Sequence, residues 1–192
     1  MATLYGYFGE SFPGYSSFWF NLQNDEKRHA NLVANLMKLN DTKEFEYHVD
    51  IEQVMDFYSF YKNLRFLTAA AYPELALFSC EEAVWFTQYI EQETINQLRI
   101  KLTTTTHSRM YTILNILMEE TKGHFQLVRD FSEEYELDPI FLVWDIQNLV
   151  DKITVRIRTR GVDMAMIQKR MDVLNSGQES AIADFDTNIS TC

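Results

Sequence analysis

A chain of 192 residues that is 46% hydrophobic, with six glycines, three prolines and two cysteines, can bury a core and carries few breaks in its secondary structure. That excludes a disordered tail protein, a disulfide-stapled module and a many-turned β-sandwich, and predicts one domain of roughly 130 to 170 residues with a trailing piece. The formal charge is −11, from 17 Lys and Arg against 28 Asp and Glu. With no basic stripe to release counterions from a phosphate backbone, neither nucleic acid nor an anionic membrane is an expected partner.

Apolar residues recur at three and four along most of the chain, so the expected class is all-α. A first helix, about Ala2 to Ser11, sets Leu4, Tyr5 and Phe8 on one side and stops at Pro13-Gly14. A second, about Gly14 to Leu39, carries the inner line Tyr15, Phe18, Leu22, Glu26, His29, Val33, Leu36. A long connection follows with its own amphipathic helix, about Asp50 to Ala69. At 1.5 Å per residue it reaches about 30 Å, enough to return the chain to the end where the second helix began. Ser79 and Glu82 form a capping-box pattern that opens a helix to about Lys101, with the inner line Val84, Gln88, Glu91, Ile95, Leu98. The threonine run Thr103 to Thr106 makes a turn into a helix from about Ser108 to Glu136, with Leu114, Leu117, Thr121, His124, Val128, Phe131 and Tyr135 inward. Asp138-Pro139 predicts a further helix start, running to about Thr159, and Gly161 a turn before a last helix to about Asn175. The predicted organisation is a bundle over residues 1–136, a C-terminal helical pair over 137–176, and a disordered polar tail over 177–192. The four cations between Lys152 and Arg160 read as a solvated helix face. His48 and His107 read as surface residues in connections.

The two cysteines, Cys80 and Cys192, are far apart, no secretory leader is apparent, and no run of 18 apolar residues occurs. A reduced cytoplasmic setting without a membrane span is the expectation.

Glu26, His29, Glu91 and His124 occupy inner lines where apolar residues are expected. Glu26 and His29 lie three apart on adjacent turns of one face. If the long connection makes the second helix and the Cys80 helix parallel, and the Thr turn makes the next one antiparallel, Glu26, Glu91 and His124 fall at one height, about 17 Å from an end. Buried carboxylates cost several kcal/mol each unless something positive compensates them, and no Lys or Arg shares these lines. A divalent metal held by Glu oxygens and His nitrogens would supply that charge. The competing reading is a hydrogen-bonded polar core. Asp25, Glu93, Glu119 and Glu120 flank the lines and read as solvated.

These residues resemble the ferritin-like di-iron carboxylate proteins, rubrerythrin-like ones most closely. Leu4-Tyr5-Gly6-Tyr7-Phe8 resembles the Tyr-x-Tyr-Phe stretch of that family's first helix, and Asp25-Glu26-Lys27-Arg28-His29-Ala30 its Glu-x-x-His-Ala motif. Glu82-Ala83 through Tyr89-Ile90-Glu91 resembles its third helix, and Glu120-Thr121-Lys122-Gly123-His124 sits where a second Glu-x-x-His would fall. The resemblance covers about residues 2 to 132. It implies a ferritin-like four-helix bundle with one long helical crossover and a C-terminal extension, and iron-dependent redox chemistry with peroxide or dioxygen, or iron handling.

The departures narrow that expectation. The family's first-helix glutamate has no counterpart, Thr121 replaces the fourth-helix glutamate, and no Cys-x-x-Cys pair supplies an electron-transfer module. Two ferrous ions would bring four positive charges against two carboxylates, whereas one divalent ion is balanced by Glu26 and Glu91 with His29 and His124. The expectation is therefore a degenerate site, with one divalent metal (iron first, manganese or zinc otherwise) or none, Glu120 as a rescue ligand and Glu10 a weaker one. A homodimer is the default for such bundles. The alternative is a non-enzymatic helical scaffold with a vestigial, metal-free centre.

Overall fold

The computed structural model describes residues 1–41, 51–105, 108–137 and 145–175, and the described elements are all helical. The helices are α1 (Ala2–Ser11), α2 (Ser16–Asp41), α3 (Ile51–Ala70), α4 (Cys80–Thr104), α5 (Ser108–Glu134), α6 (Ile146–Thr159) and α7 (164–175), with single 3-10 turns at Pro13–Tyr15 and Pro73–Leu75. His48, His107, the Asp138-Pro139 start and the polar tail lie outside the described residues.

Contacts between helices run in opposite order wherever α5 is involved. Tyr15 meets Tyr135, Phe18 stacks on Phe131 with ring centroids 4.0 Å apart, and His29 meets Glu120, so α2 and α5 are antiparallel. Glu91 faces His124 and Gln88 faces Val128, so α4 and α5 are antiparallel as well. It follows that α2 and α4 run the same way, which the 20-residue α3 permits by carrying the chain back. The Ser79–Glu82 capping box opens α4 as predicted: Glu82 N donates to Ser79 Oγ, and Ser79 N donates to Glu82 Oε2.

Helix α1 lies close on α2 because Gly6 and Gly9 face it. A Cβ at Gly6 would come within 2.3 Å of the Gln23 amide, and one at Gly9 within 2.6 Å of the Phe20 ring. This approach buries Trp19 completely beneath Tyr5 and Phe8. Trp19 reads from sequence as surface-prone, and the short helix laid across it is why it is not. Conversely Val33 and Tyr135, predicted inward, are 43% and 44% exposed, Tyr135 lying just past the end of α5 with its ring against Tyr15 and Phe131.

Two further expectations are corrected. The helix predicted from Asp138 to Thr159 is not continuous: Asp145 is extended, and its carboxylate accepts from Asn148 N at 2.9 Å, so α6 begins at Ile146. Nor is the basic run a purely solvated face. Arg156 forks onto the buried Glu82 carboxylate and also donates to Leu77 O, Lys152 pairs with Glu82, and Arg160 donates to Leu75 O and Ala76 O. These contacts fasten α6 to the start of α4. Gly161, at φ +67°, turns the chain into α7, where Arg65 donates to Met171 O and Arg170 lies over the Tyr72 ring. No helix among the described residues is long and apolar enough to cross a membrane.

Candidate metal centre

The antiparallel register of α2 and α5, with α4 alongside, brings the four sequence-predicted residues to one buried place. Glu26, His29 and His124 are each less than 9% exposed and offer ligand atoms that all lie within 4.8 Å of one another. Glu91, fully buried on α4, stands beside this group with Oε1 3.7 Å from His124 Nδ1. Its other neighbour is Tyr5 on α1, whose hydroxyl donates to the same oxygen at 2.5 Å.

The two imidazoles are oriented alike. Nδ1 of His29 and Nδ1 of His124 each sit 3.3 Å from Glu26 Oε1. The outer nitrogens face carboxylates: His29 Nε2 is 2.8 Å from Glu120 Oε2, and His124 Nε2 is 3.4 Å from Asp25 Oδ2. A carboxylate only accepts, so the outer nitrogens carry protons, assigned from those partners; the inner nitrogens face a carboxylate too and carry a proton whenever no cation takes its place. Each inner nitrogen then presents a lone pair to an acceptor oxygen unless a proton or a cation lies between them. Holding the far ring nitrogen on a carboxylate while the near one faces a centre is the arrangement of metal-ligating histidines. His124 Nδ1 and Glu91 Oε2 are both buried with no hydrogen-bond partner among the described residues, so the group has ligand atoms to spare.

Arg28 closes the outer edge. Its guanidinium donates to Glu120 Oε1 at 2.6 Å and to Asp25 Oδ1 at 3.2 Å. Arg28, Glu120, His29, Glu26, His124 and Asp25 therefore form a closed ring of alternating basic and acidic side chains, all from α2 and α5. Burial disfavours a charged Glu26, but His124 and His29 outweigh it and hold the carboxyl at about 2. Burial likewise opposes charge on His124, yet Glu26 and Glu91 raise it to about 10, and His29 is raised by Glu26 and Glu120. Glu91 goes the other way: burial dominates and lifts it above the usual carboxylate range, with Glu26 adding to the effect.

Glu120, anticipated as a rescue ligand, is set on the outer nitrogen of His29, where it orients the ring. Glu10 is exposed. Thr121 is buried and spends its hydroxyl on Leu117 O at 2.7 Å, so it brings no ligand to the centre. Sequence reasoning missed Tyr5, Asp25 and Arg28 as parts of the site. Tyr5 was visible as an inward tyrosine whose hydroxyl needs a buried partner. Asp25 and Arg28 become visible only once Glu26 is set opposite His124. Cys80 adds nothing here: burial, helped by Glu81, pushes its thiol up to about 11. No family model matches the chain, and no curated protein or solved structure does either.

Proposed function

We propose that this chain is a ferritin-like, rubrerythrin-like metal-binding protein whose Glu26, His29 and His124 hold a single divalent cation, with Glu91 as the adjoining second carboxylate. The observation that carries this reading is the convergence of two imidazole Nδ1 atoms on one Glu26 oxygen while both Nε2 atoms are held by carboxylates. The parallel α2 and α4 with α5 antiparallel to them support the ferritin-like bundle. Charge supports one ion rather than two: a divalent cation is offset by Glu26 and Glu91 with both imidazoles neutral, and among the described residues no further buried carboxylate adjoins them. Iron is the first choice, manganese or zinc the others. Iron held there would supply one-electron chemistry toward peroxide or dioxygen.

The chain's own residues have definite parts in that function. Glu26, His29 and His124 bind, Glu120 and Asp25 orient the two rings, and Tyr5 holds Glu91 Oε1 in place. Apolar side chains, among them Leu22, Leu117 and Val128, exclude water around them.

A metal-free scaffold is the second reading, favoured by one observation: with both imidazoles protonated, the ring of alternating charges neutralises itself. Elemental analysis of protein purified without chelator, followed by anaerobic calorimetric titration with Fe²⁺, Mn²⁺, Co²⁺ and Zn²⁺, separates the two. About one equivalent of bound ion is expected. Less than about a tenth of an equivalent of every ion would leave the scaffold reading alone.

A further inference from the structure

The buried centre has one wet side. Glu26, His29 and His124 are at most 9% exposed by side chain and Glu91 is fully buried, whereas Glu120 is 30%, Asp25 42% and Arg28 52% exposed. The carboxylates of Asp25 and Glu120 each turn one oxygen outward to Arg28 and the other inward to a histidine. They are the natural first stop for a cation arriving from water, because carboxylate oxygens at the solvent edge attract a divalent ion and are hard ligands for it. In the structure that stop is taken by a guanidinium. Behind it lie two buried polar atoms, His124 Nδ1 and Glu91 Oε2, with no hydrogen-bond partner among the described residues.

We propose that Arg28 is the gate of the centre: its guanidinium bridges Asp25 and Glu120 across the solvent-facing side, and a divalent cation reaches Glu26, His29 and His124 by displacing it from those two carboxylates. This rests on the reading that the buried group binds a cation. Arg28 is suited to the part because it is both strongly paired and free to swing. Its planar fork matches two carboxylates at once, and its half-exposed stem gives it water to swing into. When it closes again behind the ion, Glu120 and Asp25 return to the outer nitrogens of His29 and His124, so the gate changes the rates of exchange and leaves affinity nearly untouched.

The test is stopped-flow binding and chelator-driven release of Co²⁺, followed by its visible absorption, together with the equilibrium Kd. Wild type is compared with Arg28→Gln, Arg28→Lys and Lys27→Gln. Lys27 is exposed, lies outside the ring and removes the same charge from the adjacent position, so it reports electrostatic steering alone. The expected result is that Arg28→Gln raises association and release together by about tenfold, with Kd changed by no more than about threefold. Arg28→Lys, which cannot bridge both carboxylates, falls between. Lys27→Gln changes both rates by less than about twofold. The gate is overturned if Arg28→Gln and Lys27→Gln behave alike, or if Arg28→Gln weakens Kd without quickening association, which would make Arg28 a positioning residue only. If neither wild type nor Arg28→Gln takes up Co²⁺ at equilibrium, the metal-binding reading fails and the gate falls with it.

Discussion

The Tyr5 hydroxyl lies 2.5 Å from Glu91 Oε1, tying the shortest of the site-forming helices to a fully buried carboxylate. Among the described residues, the second oxygen of Glu91 has no hydrogen-bond partner. Tyr5→Phe keeps the ring that packs on Trp19 and removes only the donor. Leaving a buried carboxyl oxygen unsatisfied costs about 1–3 kcal/mol, which urea unfolding of the metal-free protein should register. A loss below about 0.5 kcal/mol would mean that this contact is not maintained in solution.

Removing ligands should rank by position. Glu26 Oε1 is the oxygen shared by both imidazoles, so Glu26→Gln is expected to abolish cation binding, and His29→Ala or His124→Ala to weaken it by at least about a hundredfold. Glu91→Gln, at the margin of the group, should cost less than any of them. Calorimetric titration of the four variants gives the order, and Glu91 ranking above Glu26 would contradict the centre as described.

Stoichiometry carries a separate test. Thr121 stands three residues before His124, the spacing that Glu26 bears to His29, and its hydroxyl is turned back to Leu117 O. Thr121→Glu adds a carboxylate where the proposed ferritin-like reading would place one, and the bound metal should rise from about one equivalent toward two. If it stays at one, charge is not what limits the wild-type site.

Cation affinity should rise with pH. Although burial opposes it, the neighbouring carboxylates raise the pKa of His29 and bring His124 to about 10. Protons therefore compete for the inner nitrogens at neutral pH, and acidification favours the protons. Calorimetry in buffers of different ionisation enthalpy should register release of up to about two protons per ion. An affinity that is flat between about pH 6 and pH 8.5 would contradict this.

The Glu82–Arg156 pair governs acid stability at the other end of the fold. Burial opposes the Glu82 charge, but Arg156 and then Lys152 hold its pKa below the usual 4.5. Its contribution is fully present above that value and is lost as pH falls through the lower folded value. Glu82→Gln should cost about 2 kcal/mol at pH 7, less than a fully buried pair because Arg156 keeps some contact with water. The difference from wild type should shrink in denaturation curves taken below about pH 4. A cost that persists unchanged there would assign the effect to packing.

The helical elements and the four inward ionisable residues were legible in the sequence because helix periodicity is local: a residue three or four positions on shares a face whatever the rest of the chain does. The same locality explains the boundary at Ser79 and the turn at Gly161, each written in neighbouring residues. It also explains the failures. Asp145 reads as helix interior until its carboxylate is seen capping α6, and Trp19 reads as exposed until α1 lies over it.

Sequence alone therefore determined an all-helical chain with acidic and imidazole groups on its inner faces. Tertiary structure alone decided that Nδ1 rather than Nε2 of each histidine faces Glu26, that Asp25 and Glu120 hold the outer nitrogens, and that Arg28 closes the ring. The reason is geometric. Each residue turns a helix by about 100°, so a shift of one position between α2 and α5 would swing Asp25 and Arg28 away from their partners. That register is set by distant packing, such as Phe18 on Phe131, and not by anything in the motif itself.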